Sequence, residues 1–159
     1  MGRFAVAGRP RTKGSLTPQV SRSGRGKLRV HLVESGEYAV PWKKKMIKAI
    51  AEQAMWAIAL DAVAHAGPVE VRATFFFRRV VGVDGLIWPS HQTPRPSSMD
   101  IGDLDKLERN LLDALTQSGL IKDDSLVVKI VSEKRWARPD GFEGVECLVL
   151  AAYPDGGPV

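Results

Sequence analysis

The sequence predicts an α+β single domain, with a mixed β-sheet of about five strands packed with two main helices. Three observations predict it. Val69 to Arg79 alternates in period two, with Val69, Val71, Ala73, Phe75 and Phe77 on one face and Glu70, Arg72, Thr74 and Arg78 on the other, the pattern of a half-buried strand. Leu104, Leu107, Leu111 and Leu115 recur at spacings of three and four, so one face of a helix there is apolar. The elements read as strand, strand, long helix, strand, loop, helix, strand, strand, without a linker or internal repeat, across 159 residues. That length suits one domain.

In chain order, Phe4 to Ala7 is a short strand closed by Gly8. Pro10 and Gly14 then break regular structure, so residues 9–14 form a basic loop. Lys27 to Val33 alternates Leu28, Val30 and Leu32 against Lys27, Arg29 and His31, a strand with a basic outer face. Pro41 suits a helix start, and the helix is expected to run to about His65 and stop at Gly67-Pro68. Its expected core stripe is Ile47, Ile50, Ala54 and Ile58. Residues 80–102 carry three glycines and three prolines, a long irregular connection of the kind that is usually functional or mobile. Two readings are open for Trp88 and His91 within it: stacking on bases, or pinning the loop. Gly119 is placed to end the second helix. Val127 to Trp136 and Val145 to Ala151 complete the strands, and residues 155–159 read as a frayed tail.

Composition narrows the function. Hydrophobic content of 44% and charge of 26% fit a globular chain. No signal peptide is expected, since Arg3, Arg9 and Arg11 interrupt the start. The most apolar segment, Ala54 to Ala64, contains Asp61 and is far shorter than the ~20 residues of a membrane span. The single cysteine, Cys147, excludes an internal disulfide and fits a reducing compartment. The net charge is +5, and the first 33 residues hold eight Arg or Lys and no acid. Such a block points to a polyanion, above all nucleic acid, with a solvated basic tail as the alternative. Lys43, Lys44 and Lys45 oppose the dipole at a helix start. They are read either as phosphate contacts or as plain exposed lysines.

Acid is concentrated in Gly102 to Asp124, which opens on Asp103 and Asp105 and closes on Asp123-Asp124. Capping accounts for one entrance carboxylate but not for both, nor for the closing pair. Oxygen ligands of this kind suit Mg²⁺, which activates water and stabilises charge in phosphodiester cleavage. Asp105, Arg109 and Asp113 fall four apart. They are read either as exposed ion pairs or with Arg109 stabilising the scissile phosphate.

The run from Asp103 to Asp124, with Lys134 beyond it, resembles the RusA family of Holliday junction resolvases. Asp103 and Asp105 match the family's Asp-x-Asp-Asn entrance. Asp113-Ala114-Leu115 matches a helix tripeptide, Gly119 and Asp123-Asp124 match the close, and Lys134 matches a lysine on the next strand. Gly8, Pro10 and Lys13 match a Gly-x-Pro-x-x-Lys start. The chain departs from the pattern in three places: Lys106 stands where the family has Asn, Arg109 where it has a catalytic Lys, and Ile101-Gly102 where Lys-Pro often precedes the first Asp. Arg keeps charge and donors but does not exchange protons near neutral pH.

The resemblance implies a small homodimeric endonuclease of phage or prophage type, working in the cytoplasm. It would require Mg²⁺, or Mn²⁺ in its place, and no small-molecule cofactor. It would bind four-way or branched DNA and resolve Holliday junctions by paired symmetric nicks. Asp103, Asp105 and Asp124 would hold metal with Asp123 assisting. Arg109 and Lys134 would hold the phosphate, and Arg9, Arg11, Lys13, Lys43, Lys44 and Lys45 the DNA backbone. Two further readings are a junction-binding protein with impaired catalysis and a nuclease for flaps or forks.

Overall fold

A computed structural model describes residues 2–13, 16–22, 28–34, 38–58, 66–138 and 141–152. The strands are β1 (Arg3–Ala7), β2 (Leu16–Arg22), β3 (Leu28–Glu34), β4 (Val69–Phe77), β5 (Val127–Trp136) and β6 (Gly144–Ala151). The helices are α1 (Ala39–Ile58) and α2 (Leu104–Gln117), with short 3₁₀ turns at Pro89–His91 and Asp124–Leu126.

The main sheet has four strands in the order β1-β6-β4-β5. β4 and β5 are parallel, while β6 is antiparallel to both β1 and β4. The α+β class and the mixed sheet are as expected, but the strand count is four rather than about five. β3 does not join the sheet. It pairs with β2 in a separate hairpin, with Pro18 opposite Leu32. The sequence expectation had no strand at Leu16–Arg22; Pro18 lies inside the strand, and a proline is confined to edge positions of a sheet. In a two-stranded ribbon each strand has a free edge, and the missing N–H is tolerated there.

The alternation in β4 is realised in full. Val69, Val71, Ala73, Phe75 and Phe77 are all buried. They pack with Leu107, Leu111 and Leu115 of α2 and with Trp42, Met46 and Ile50 of α1 in one core. Burying each large apolar side chain contributes about 1.5–3 kcal/mol, so this layer dominates the stability. Ile50 of the expected α1 stripe is buried, together with Ala39, Trp42 and Met46, while Ile47 packs only partly. Tertiary packing selects among apolar residues that sequence spacing alone does not separate. Residues 59–65, where the helix was expected to continue, and the tail at 155–159 lie outside the described residues. So do the side chains of Ala54 and Ile58.

α2 ends as its sequence predicts. Gly119 takes φ +78 just past the helix, and Leu120 N–H returns to Leu115 O at 3.2 Å, closing carbonyls that would otherwise be orphaned. Among the described residues no helix is long and apolar enough to cross a membrane. Cys147 is buried, and desolvation pushes its thiol up. That keeps it a neutral thiol, unsuited to nucleophilic chemistry.

Candidate active site at the start of α2

The long connection from β4 to α2 is held by His91. Its ring is fully buried and lies 4.9 Å from that of Trp136. Nδ1 accepts from Val80 N–H at 2.9 Å, so the proton resides on Nε2, which faces Asp100 Oδ2 at 2.9 Å. Arg79 stacks over Trp136 and donates to His91 O at 2.5 Å. Trp136 Nε1 donates to Thr93 O at 2.7 Å. His91 therefore pins the loop, which decides between its two readings. Trp88 remains exposed, along with Val81, Val83 and Leu86 of the same loop.

This pinned loop delivers Gly102 and Asp103 to the start of α2. Gly102 has φ +80, a conformation that glycine adopts without strain. Asp103 occupies the N-cap position, yet its side chain makes no capping bond. Its Oδ2 faces Lys106 Nζ at 2.8 Å. The hydrogen bond from Lys106, then its charge, then the charge of Lys134 hold the Asp103 carboxyl below its ordinary range. In return Asp103 raises Lys106. Asp105 pairs with Arg109 at 3.6 Å. Lys134 comes from β5, where its Nζ donates to Gly102 O at 2.9 Å. The fold thus gathers Asp103, Asp105, Lys106, Arg109 and Lys134 at one end of α2.

It does not bring the closing pair there. α2 has 14 residues, about 21 Å at the usual rise of 1.5 Å per residue. Glu108 near its middle bonds Ser132 on β5, and Lys134 meets its first turn, so the helix runs antiparallel to β5. Asp123 and Asp124 precede β5 and therefore lie near the C-terminal end of α2. There Asp123 accepts from Ser125 N–H at 2.8 Å. Hydrogen bonds from the Ser125 side chain and backbone lower the Asp123 carboxyl. Among the described residues no three His, Cys, Asp or Glu side chains cluster as a metal site. The donors are exposed carboxylates, of the kind that suits Mg²⁺, but the described residues of one chain do not assemble them.

The expected ladder of Asp105, Arg109 and Asp113 forms only in its first half. Asp113 turns away from Arg109 and takes Lys13 Nζ at 2.6 Å, with Lys43 Nζ at 3.9 Å from the same oxygen. Arg9 reaches Asp100 at 3.0 Å. Arg11 lies 4.7 Å over the Tyr38 ring. Lys44 and Lys45 are exposed. Sequence reasoning missed Asp100 and Asn110. Nothing local marks Asp100, but Asn110 interrupts the apolar spacing of α2 at a position that is fully buried, and that polar break was legible.

The family model described as Endodeoxyribonuclease RusA matches residues 13–143. No curated protein matches the chain.

Proposed function

The chain belongs to the RusA endodeoxyribonuclease family, a family of junction-resolving nucleases, and from that premise we propose that it resolves four-way DNA junctions by paired symmetric nicks in the presence of Mg²⁺ or Mn²⁺. The observation that supports this most is that Lys134 of β5 bonds Gly102 O and lends its charge to Asp103 at the end of α2 that also carries Asp105 and Arg109, beside a basic loop. Asp103, Asp105 and Asp124 are the proposed metal ligands, with Asp123 assisting. A bound divalent cation would supply activated water and charge neutralisation at the phosphate. Lys134 and Arg109 hold and neutralise the scissile phosphate, and Arg109 does so without proton transfer. The basic residues around Arg11, Lys44 and Lys45 draw in the backbone.

The separation of the two acidic pairs along α2 gives the homodimer a function. A two-fold dimer lets the closing pair of one chain meet the entrance pair of the other, and its symmetry matches that of a four-way junction. The test is nicking of a synthetic four-way junction with Mg²⁺ and with EDTA. Asp124→Asn is expected to abolish nicking and to retain junction binding, and unchanged cleavage would refute the assignment.

One observation favours a second reading. Lys106 and Arg109 each pair with an entrance carboxylate, as they would in a junction-binding protein with impaired catalysis. Wild-type protein that binds junctions without nicking them in either metal would establish that reading. Flap and fork substrates assayed beside the junction separate a flap or fork nuclease from both.

A further inference from the structure

The basic loop at residues 9–13 is fastened to α2 along its length. Lys13 N–H donates to Lys106 O at 3.1 Å, and Asn110 Nδ2 donates to Arg11 O at 2.9 Å. Between these two bonds the Thr12 side chain lies against Gly102, where a Cβ would collide with it. Lys13 is held by Asp113 and Arg9 by Asp100. Two of the loop's three described Arg or Lys side chains are therefore occupied by carboxylates of the protein itself.

Arg11 is different. Its backbone carbonyl is gripped by a fully buried asparagine. Its guanidinium lies over the exposed Tyr38 ring, and among the described residues it makes no ion pair. A guanidinium stacked on an aromatic face keeps its N–H edge available for two parallel bonds to a phosphate. Asp113, which holds Lys13 of the same loop, is neutralised by Lys13 and Lys43, while Lys44 and Lys45 add exposed positive charge on α1.

We propose that residues 9–13 form a fixed clamp presenting Arg11 to a DNA backbone phosphate beside the α2 site, with Asn110 and Asp113 as its positioning residues. The inference rests on the nuclease reading for its choice of DNA. Asn110 has no exposed surface, so it acts on a ligand only through Arg11. Leucine at this position would continue the apolar stripe. The amide instead supplies the bond to Arg11 O, while its own Oδ1 finds no partner among the described residues.

The test measures binding of the full chain to a labelled synthetic four-way junction and to a linear duplex, in EDTA, over a range of KCl concentrations. Arg11→Gln is expected to lower affinity severalfold and to reduce the slope of log K against log [KCl] by about 0.9, the effect of one lost phosphate contact. Asn110→Ser, although neutral and buried, is expected to reproduce both changes, and the double variant is expected to bind no worse than Arg11→Gln alone. Asp113→Asn makes the chain more positive, so charge alone would tighten binding. Loosening of the clamp weakens it instead. Wild-type affinity and slope in Asn110→Ser, additive losses in the double variant, or tighter binding by Asp113→Asn would each overturn the proposal. If Asn110→Ser does not fold, as read by circular dichroism, the sign of the Asp113→Asn effect decides. Nicking of the same junction in Mg²⁺ is scored separately. Loss of the clamp effect in a protein that nicks refutes the clamp and leaves the nuclease reading intact. The expected effects in a protein that binds without nicking do the reverse.

Discussion

The two ends of α2 both carry a pair of aspartates, and the fold treats them differently. At the N-terminal end each carboxylate has a cation one turn along, Asp103 with Lys106 and Asp105 with Arg109, and Lys134 stands beside them. At the far end Asp123 accepts from Ser125 N–H, and Ser125 and the neighbouring Asp124 hold its carboxyl low. Asp124, beside it, is exposed and makes no ion pair among the described residues. The helix dipole favours acid at the first end and disfavours it at the second. The entrance pair therefore has cations and the helix dipole to stabilise its charge, while at the closing pair Asp123 relies on hydrogen bonds from Ser125 instead. Among the described residues no cation forms an ion pair with the closing aspartates, which leaves them open to a divalent ion or to another protomer.

The largest effect available to break this comparison is complementation. Asp103→Asn and Asp124→Asn chains are each expected to be inactive alone. Mixed and refolded together, they are expected to regain single-strand nicking, because one of the two sites in a heterodimer then draws both intact pairs from different chains. No recovery would show that the ends do not meet across a dimer. Next, Lys134→Gln is expected to lower kcat by about 10²–10³ with little change in junction affinity, as for loss of a group that stabilises transition-state charge. Equal losses in binding and rate would make Lys134 a loop anchor through Gly102 and nothing more.

His91→Phe tests whether the pinned loop sets the entrance end. It removes the acceptor of Val80 N–H and one of the partners of Asp100 and is expected to cost about 1–3 kcal/mol in urea unfolding. The smallest effect concerns the Lys106 pair. Asp103 is lowered and Lys106 raised in the folded chain. The stabilisation by Asp103 is therefore present above its unfolded pKa of about 3.9 and is lost as pH falls through the lower folded value, and that by Lys106 is lost only above about 10.4. The melting temperatures of wild type and Lys106→Gln are expected to differ slightly and constantly between these limits and to converge in acid. A difference that persists in acid would assign the effect to something other than the ion pair.

Much of the fold was legible before the structure. β4 and the leucine stripe of α2 follow from apolar periodicity, because burial of one face acts on residues two, three or four apart in the chain. Gly119 follows from the backbone geometry that a helix end requires. β2 was missed: its residues Leu16–Arg22 pair only with β3, and Pro18 within them gives no strand signal of its own. On α1, Ile50 is buried as expected, but the face runs on through Met46 and Trp42 rather than Ile47, since Met46 and Ile47 are both apolar and only tertiary packing chooses between them.

At the site, the sequence by itself determined which carboxylates exist, that they bracket a helix, and that the chain around them is basic. These are statements about composition and local spacing, and local spacing is what helix geometry converts into structure. The tertiary structure alone decided what each of those charges faces. It turned Asp113 towards Lys13 and Lys43 rather than Arg109, brought Lys134 across from β5 to Gly102, and buried Asn110 under Arg11. It also set the length of α2 between two acidic pairs that the linear sequence presents as one cluster. Electrostatic pairing acts through space over a few ångströms, and residues far apart in the chain come within that range only once the core has closed.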